Sequence, residues 1–320
     1  MPSSFKTLPL TVILCCGVLR CQQPAPNPAD ALFQSAVGQL SQGRYQEAEE
    51  SFRRLAELEP TTSRGMLGIA EVWTAQKKEG DALRMLQAEA GKYPARPELH
   101  FGIGNLAMRT AQYDLAIAEF LLVLDRVDRN SKGAADLYLR MGEAYRRKGD
   151  LDFAIAVLGH AQTLQPANPA ILTALAFTLE SAGQRQAAGD QYRKILELDP
   201  KNALALNNLA FMLADSGTDP GLALAYAHRA RQLLPNEPTI TDTLGWVYLK
   251  LNRPEDAITL FREVVQKDPR RAAYRYHLAA ALELKGDHAE ARKESEAALK
   301  SNPSKDEEEK IHELLRKIRE

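Results

Sequence analysis

One spacing constrains this chain more than any other feature. Alanine stands at Ala48, Ala82, Ala116, Ala154, Ala188, Ala223, Ala257 and Ala291, in steps of 34, 34, 38, 34, 35, 34 and 34 residues. A second ladder of alanine or glycine runs twelve or thirteen places upstream: Ala36, Ala70, Gly104, Gly142, Ala176, Ala210, Gly245 and Ala279. A third closes each unit at Pro60, Pro94, Asp128 (where a proline would fall), Pro166, Pro200, Pro235, Pro269 and Pro303. Three registers in step over eight units predict an all-α solenoid of helical hairpins, in which each unit packs on its neighbours and no single globular core forms.

One unit shows how the pattern folds. In residues 169–202, Asn168 is an N-cap followed by Pro169 at the first helical place. Leu172, Leu175, Ala176 and Leu179 recur at helical spacing and form an apolar stripe. Gly183 ends the first helix, because glycine takes a left-handed cap without steric cost. Ala188, Tyr192 and Ile195 form the inner face of the second helix, which Asp199-Pro200 stops. Ala176 facing Ala188 lets two helix axes approach at the near end of the usual ~8–10 Å range.

Charge then removes several functional classes. The 41 basic and 42 acidic residues balance, so no basic field exists to attract nucleic acid. Cys15, Cys16 and Cys21 are the three cysteines, which leaves the repeats without disulfides, thiolate metal sites or a cysteine nucleophile. The first 21 residues resemble an export signal: Lys6 precedes an apolar run from Leu8 to Leu19, shorter than the ~20 residues a spanning helix needs. No clean small-x-small triplet precedes Gln22. The residues before Cys21 and Cys16 are Arg20 and Cys15, where lipidation favours a small residue. Cleavage, lipidation and an uncleaved leader stay open. Residues 22–28 form a Pro-rich linker.

The ladders resemble the tetratricopeptide repeat over Ala29 to Pro303. Eight repeats are assigned, at 29–62, 63–96, 97–130, 135–168, 169–202, 203–237, 238–271 and 272–305. Residues 306–320, with Ile311, Leu314, Leu315 and Ile318 on one side, follow as a C-terminal capping helix. Repeat three is followed by an insert from Ser131 to Ala134, repeat six has one extra residue near Asp219-Pro220, and repeat two has an irregular turn at Lys77-Lys78-Glu79. The stretch from Leu204 to Ile258 is similar to exported bacterial repeat proteins, several of them outer-membrane lipoproteins of secretion, pilus or polysaccharide systems.

The resemblance implies a right-handed superhelix whose first helices line a concave groove, with the second, fifth, ninth and twelfth places of each unit facing into it. In repeats two to four these places are mostly charged or polar: Arg64, Glu71, Glu98, Asn105, Asp136, Glu143 and Arg146. In repeats five to eight they turn aromatic and amide. Thr173, Phe177, Asn207, Phe211, Asp242, Trp246 and Tyr276 are therefore the candidate peptide- or protein-binding residues. Packing is the competing role for every aromatic here, and bonds to neighbouring units are the competing role for Asn207 and Asp242. Trp73 and Tyr145, at the eleventh place, are expected in the core. The terminal-carboxylate clamp of chaperone-binding members is broken: Asn105 matches one place, but Phe101, Arg140, Ala170 and Ala174 stand at the others.

Motifs for chemistry fail their structural context. Gly102-Ile103-Gly104-Asn105-Leu106-Ala107 matches a dinucleotide pattern but lies inside a predicted helix, with no strand before it. The six histidines show no i,i+4 pair. No catalytic residue, cofactor site or metal site is assigned, and the chain is expected not to be an enzyme. The leading reading is a non-enzymatic scaffold that binds peptide or protein partners in the bacterial envelope, periplasmic or attached to the outer membrane. It would touch membrane only through a lipid anchor. The alternatives are an accessory subunit of a secretion, pilus or polysaccharide machine, an enzyme with an unrecognised site, and a cytoplasmic location. Partner identity and oligomeric state stay open.

Overall fold

The computed structural model describes residues 27–318, so the leader and most of the linker lie outside the described residues. Seventeen α-helices and no strands occur among the described residues. They are α1 (Pro28–Ser41), α2 (Tyr45–Leu58), α3 (Arg64–Ala75), α4 (Glu79–Lys92), α5 (Pro97–Arg109), α6 (Tyr113–Leu124), α7 (Lys132–Lys148), α8 (Leu151–Leu164) and α9 (Pro169–Ser181). The rest are α10 (Arg185–Leu198), α11 (Ala203–Ser216), α12 (Pro220–Leu233), α13 (Pro238–Lys250), α14 (Pro254–Lys267), α15 (Ala272–Lys285), α16 (His288–Leu299) and α17 (Lys305–Lys317). The chain divides into two compact units, one ending at Glu89 and one beginning at Ala90. Consecutive helices pack on one another, α1 with α2, α2 with α3 and each with the next from α5 to α17, the arrangement of a helical-hairpin solenoid.

The local signals act as expected from their chemistry. The Asn168 carboxamide accepts from the amides of Ala170 and Ile171, at 3.0 and 3.4 Å. Asn202, Asp219 and Asp287 cap α11, α12 and α16 in the same way. Each hairpin turns through one residue with positive φ. Glycine holds that place at Gly43, Gly149, Gly183, Gly217 and Gly286, but Lys77, Ala111 and Asn252 hold it at φ 63°, 56° and 58°. The irregular turn of the second repeat therefore keeps the left-handed geometry and accepts its strain.

Packing refines the role of the small residues. Ala176 and Ala188 are fully buried in one cluster with Leu172, Tyr192 and Ile195. The glycines of the upstream ladder meet a larger partner sixteen places on. A Cβ on Gly104 would lie 2.5 Å from Phe120, one on Gly142 2.4 Å from Leu158, and one on Gly245 2.6 Å from Phe261. The missing side chain is space that a ring or a leucine already fills.

Ser131 caps α7, its Oγ accepting from the Ala134 amide at 3.2 Å, so the inserted residues Ser131 to Ala134 extend α7 by a turn. Two expectations need correcting. Trp73 and Tyr145 sit at the edge of their cores rather than inside. Trp73 is half-buried and hydrogen-bonds Glu49. Tyr145 is half-buried and stacks on Phe153 at 5.5 Å. At the C-terminus, Ser304 and Glu307 close a capping box, and Ile311, Leu314 and Ile318 are buried. Leu314 and Ile318 join the cluster of Phe261, Leu278 and Leu282, so α17 covers the last hairpin.

Candidate functional site

The first helices α9, α11, α13 and α15 carry the candidate residues at equivalent places. Phe177 and Phe211 are large apolar side chains that stay 38% and 37% exposed. Each keeps more than a third of its surface in water, so part of the roughly 1.5–3 kcal/mol that full burial of such a ring yields is still available to a contact. Phe177 rests edge-on against Tyr192 at 6.2 Å. Phe211 stacks on Trp246, with centroids 6.1 Å apart and planes 27° apart. Trp246 is half-buried and its ring also meets His277 at 4.8 Å.

Two polar networks hold these rings. In the first, the buried Tyr192 hydroxyl donates to Glu180 at 2.7 Å and accepts from Asn208 Nδ2 at 2.8 Å. Asn208 Oδ1 in turn accepts from Asn207 Nδ2 at 3.3 Å. Burial raises the Glu180 carboxyl above its ordinary range. Burial, reinforced by the neighbouring carboxylate, keeps the Tyr192 phenol protonated. In the second, Asp242 pairs with His277 Nδ1 at 2.8 Å, bridging consecutive repeats. Asp242 is thereby committed to orienting the imidazole against Trp246.

A third set lies alongside. The Lys250 ammonium sits 4.9 Å from the Trp246 centroid and 3.3 Å from Asp215, which also accepts from Arg185 at 2.6 Å. Burial alone would raise the Asp215 carboxyl, but hydrogen bonds from Arg185 and Lys250 hold it below its ordinary value. Tyr276 lies beside His277 at 5.6 Å, and burial, with a smaller contribution from Glu313, pushes its phenol up.

Two atoms stand out against this satisfied background. Asn207 Oδ1 and Trp246 Nε1 are buried and have no hydrogen-bond partner. Asn207 is only 5% exposed. An unpaired acceptor and an unpaired donor, each costing about 1–3 kcal/mol, lie on adjoining helices that the Phe211–Trp246 stack joins.

Phe211, Asp242, Trp246 and Tyr276 thus form one connected cluster, and Asn207 connects through Asn208 to the Tyr192–Phe177 pair. Thr173, half-buried one turn before Phe177, is not among the rings and hydrogen bonds that link the others. The sequence reading did not single out His277, Lys250, Asp215 or Arg185. His277 stands thirty-five residues beyond Asp242, one repeat on from it in the sequence. In the other half, Arg140 donates to Asn105 at 2.9 Å and lies over Phe101 at 4.9 Å, so the one matching place of the broken carboxylate clamp is already occupied.

These elements define a helical-hairpin repeat protein with a row of aromatics on its first helices. Tetratricopeptide repeat models match residues 33–97, 135–168, 169–202 and 243–306, together more than half of the chain. The chain belongs to the tetratricopeptide repeat family. It is similar to TPR repeat-containing protein PA4667 of Pseudomonas aeruginosa, 27% identical over 42% of this chain and 23% of that protein. It is also similar to type IV pilus assembly protein PilF of the same organism, 23% identical over 52% of this chain and 67% of PilF. The match thus spans about a quarter of the first relative and two thirds of the second. Among solved structures, the APC/C hetero-tetramer Cut9–Hcn1 superposes with a TM-score of 0.60 over 92% of this chain and 56% of that one, at 15% identity. That likeness is one of fold.

Proposed function

We propose that this chain is a non-catalytic scaffold that holds an extended segment of a protein partner along α9, α11, α13 and α15. The exposed Phe177 and Phe211, in register with the half-buried Trp246 that stacks on Phe211, carry the reading. Rings already held in a row supply apolar contact at little entropy cost. Thr173, Asp242 and Tyr276 complete the assigned surface, with Asp242 acting through His277.

A more specific version makes the chain an accessory subunit of an envelope assembly machine, exported and periplasmic or attached to the outer membrane. Its relation to a pilus assembly protein favours this. No helix among the described residues is long and apolar enough to cross a membrane, so attachment in that reading depends on the leader.

The test is site-specific photocrosslinking in the native host, with the probe at Phe211. A discrete protein adduct is expected. Replacing Trp246 and Tyr276 together by alanine removes that adduct while circular dichroism stays helical. An adduct of unchanged yield in the double variant would rule out this surface.

A further inference from the structure

The second helices differ sharply in charge. Among the described residues, α2, α4, α10, α12, α14 and α16 each carry lysine or arginine, whereas α6 and α8 carry none. The outer face of α6 instead exposes Leu121 and Leu122. On α8, Phe153 is 63% exposed, more than any other large hydrophobic residue described. Its ring is not free to collapse inward. It lies stacked on Tyr145, 5.5 Å away with 23° between planes, and so is already fixed for contact.

We propose that the outer face of α8, continued by α6, is a self-association surface where a second copy of this chain docks antiparallel about a two-fold axis beside Ala156. Asp152, Phe153, Ala156, Gly159 and His160 fall within about 120° of one another around the helix, at ~100° per residue. Asp152, Phe153, Ala156 and His160 are exposed and Gly159 is partly so. An axis at Ala156 brings each residue level with the one equally far on its other side. Phe153 comes level with Gly159 of the second copy, where a Cβ would meet nothing within 4 Å, so a bare length of backbone receives the ring. Asp152 comes level with His160 of the second copy, and symmetry makes that complementary pair twice. Ala156 meets itself, and a one-carbon side chain at the crossing permits close axes.

The same composition argues against a lipid surface. Neither helix carries a lysine or arginine, Asp114 pairs with Lys148 and Glu119 with His100, and Asp152, exposed on this face, is repelled by anionic headgroups. The two outer faces offer about 400 Å² per copy, taking ~1.5 Å rise per residue and ~10 Å width. A standard interface needs about 800 Å² per partner, so the dimer is weak and depends on concentration.

Sedimentation velocity of the purified full chain from about 1 μM to about 1 mM tests this. The mass should rise toward two chains. Phe153→Glu, a surface change that leaves the helical circular dichroism intact, should weaken dimerisation at least tenfold. With Cys15, Cys16 and Cys21 replaced by serine, Ala156→Cys should give a disulfide-linked dimer on mild oxidation. A monomer at every concentration overturns the proposal. So does self-association that Phe153→Glu leaves unchanged, or an Ala156→Cys variant that stays uncrosslinked. Sedimentation of the wild-type chain with phosphatidylglycerol vesicles, lost in Phe153→Glu and without any dimer, would assign the face to membrane and equally overturn it.

Discussion

Gly245→Ala measures how tightly a hairpin closes. The added Cβ would lie 2.6, 2.9 and 3.0 Å from Cε1, Cδ1 and Cζ of Phe261, where ordinary contact begins near 3.4 Å. The ring must retreat by about 0.8 Å, yet Phe261 is fully buried among Val264, Leu278 and Leu282. Overpacking of this kind costs about 1–3 kcal/mol. Alanine also improves helix propensity over glycine by about 1 kcal/mol. The single variant should therefore be destabilised by about 0–2 kcal/mol, a value that mixes two opposed effects. A double-mutant cycle with Phe261→Leu separates them. Leucine removes the ring atoms in the way, so in that background Gly245→Ala should be neutral or stabilising by up to about 1 kcal/mol. The coupling energy should be about 1–3 kcal/mol. Because repeats open locally, the readout is native-state hydrogen exchange of amides in α13 and α14. A coupling energy within error of zero would refute the argument that Gly245 is small to admit the Phe261 ring.

Other consequences can be checked with less machinery. Ala111 holds a left-handed turn at φ 56°, so Ala111→Gly should raise the denaturation midpoint, by up to about 1 kcal/mol in stability. Gly149→Ala, at φ 95°, should lower it by about 1–2 kcal/mol. Two carboxyls should show opposite pH signs. Asp215 titrates below its ordinary 3.8 when folded, so its contribution is present above that value and lost as pH falls through the lower folded one. Asp215→Asn should flatten acid denaturation there. Glu180 titrates above its ordinary 4.5 when folded, so its contribution is present below that value and lost as pH rises through the folded one. In Glu180→Gln, stability should no longer fall across that interval. Midpoints of chemical denaturation between about pH 2 and pH 7 decide both.

The architecture was legible because a 34-residue period repeats one local solution eight times, and each instance reinforces the reading of the others. Caps such as Asn168 and turn residues such as Gly183 act within three or four residues of themselves, so sequence neighbours suffice to predict them. What repeats less regularly was harder to see. The partners of the glycines at 104, 142 and 245 are Phe120, Leu158 and Phe261 on the second helix, and the ladder does not announce these contacts, because alanine too stands sixteen places before an aromatic at Ala36–Phe52 and Ala176–Tyr192. Lys77 and Ala111 in left-handed turns were invisible for another reason: the neighbouring helices dictate the turn, and the residue pays the strain locally.

The candidate site divides along the same physical line. The aromatic places Phe177, Phe211 and Trp246 follow from helical register alone, because one position in each repeat points the same way. How those rings are held does not, because it depends on side chains that cross between units. Asp242 reaches His277 thirty-five residues on, Lys250 folds back over Trp246 toward Asp215, and Asn208 joins Asn207 to Tyr192. These cross-links bear on function. Each ties a residue of the proposed surface in one repeat to a neighbouring repeat, so the spacing between Phe177, Phe211 and Trp246 is set before any partner arrives. A rigid row spends less entropy on binding than a loose one. If that is its use, His277→Ala should weaken capture at the Phe211 crosslink although His277 need not touch the partner, whereas His277→Gln, which can still donate to Asp242, should restore part of it. Equal loss in both variants would mean that the imidazole itself contacts the partner.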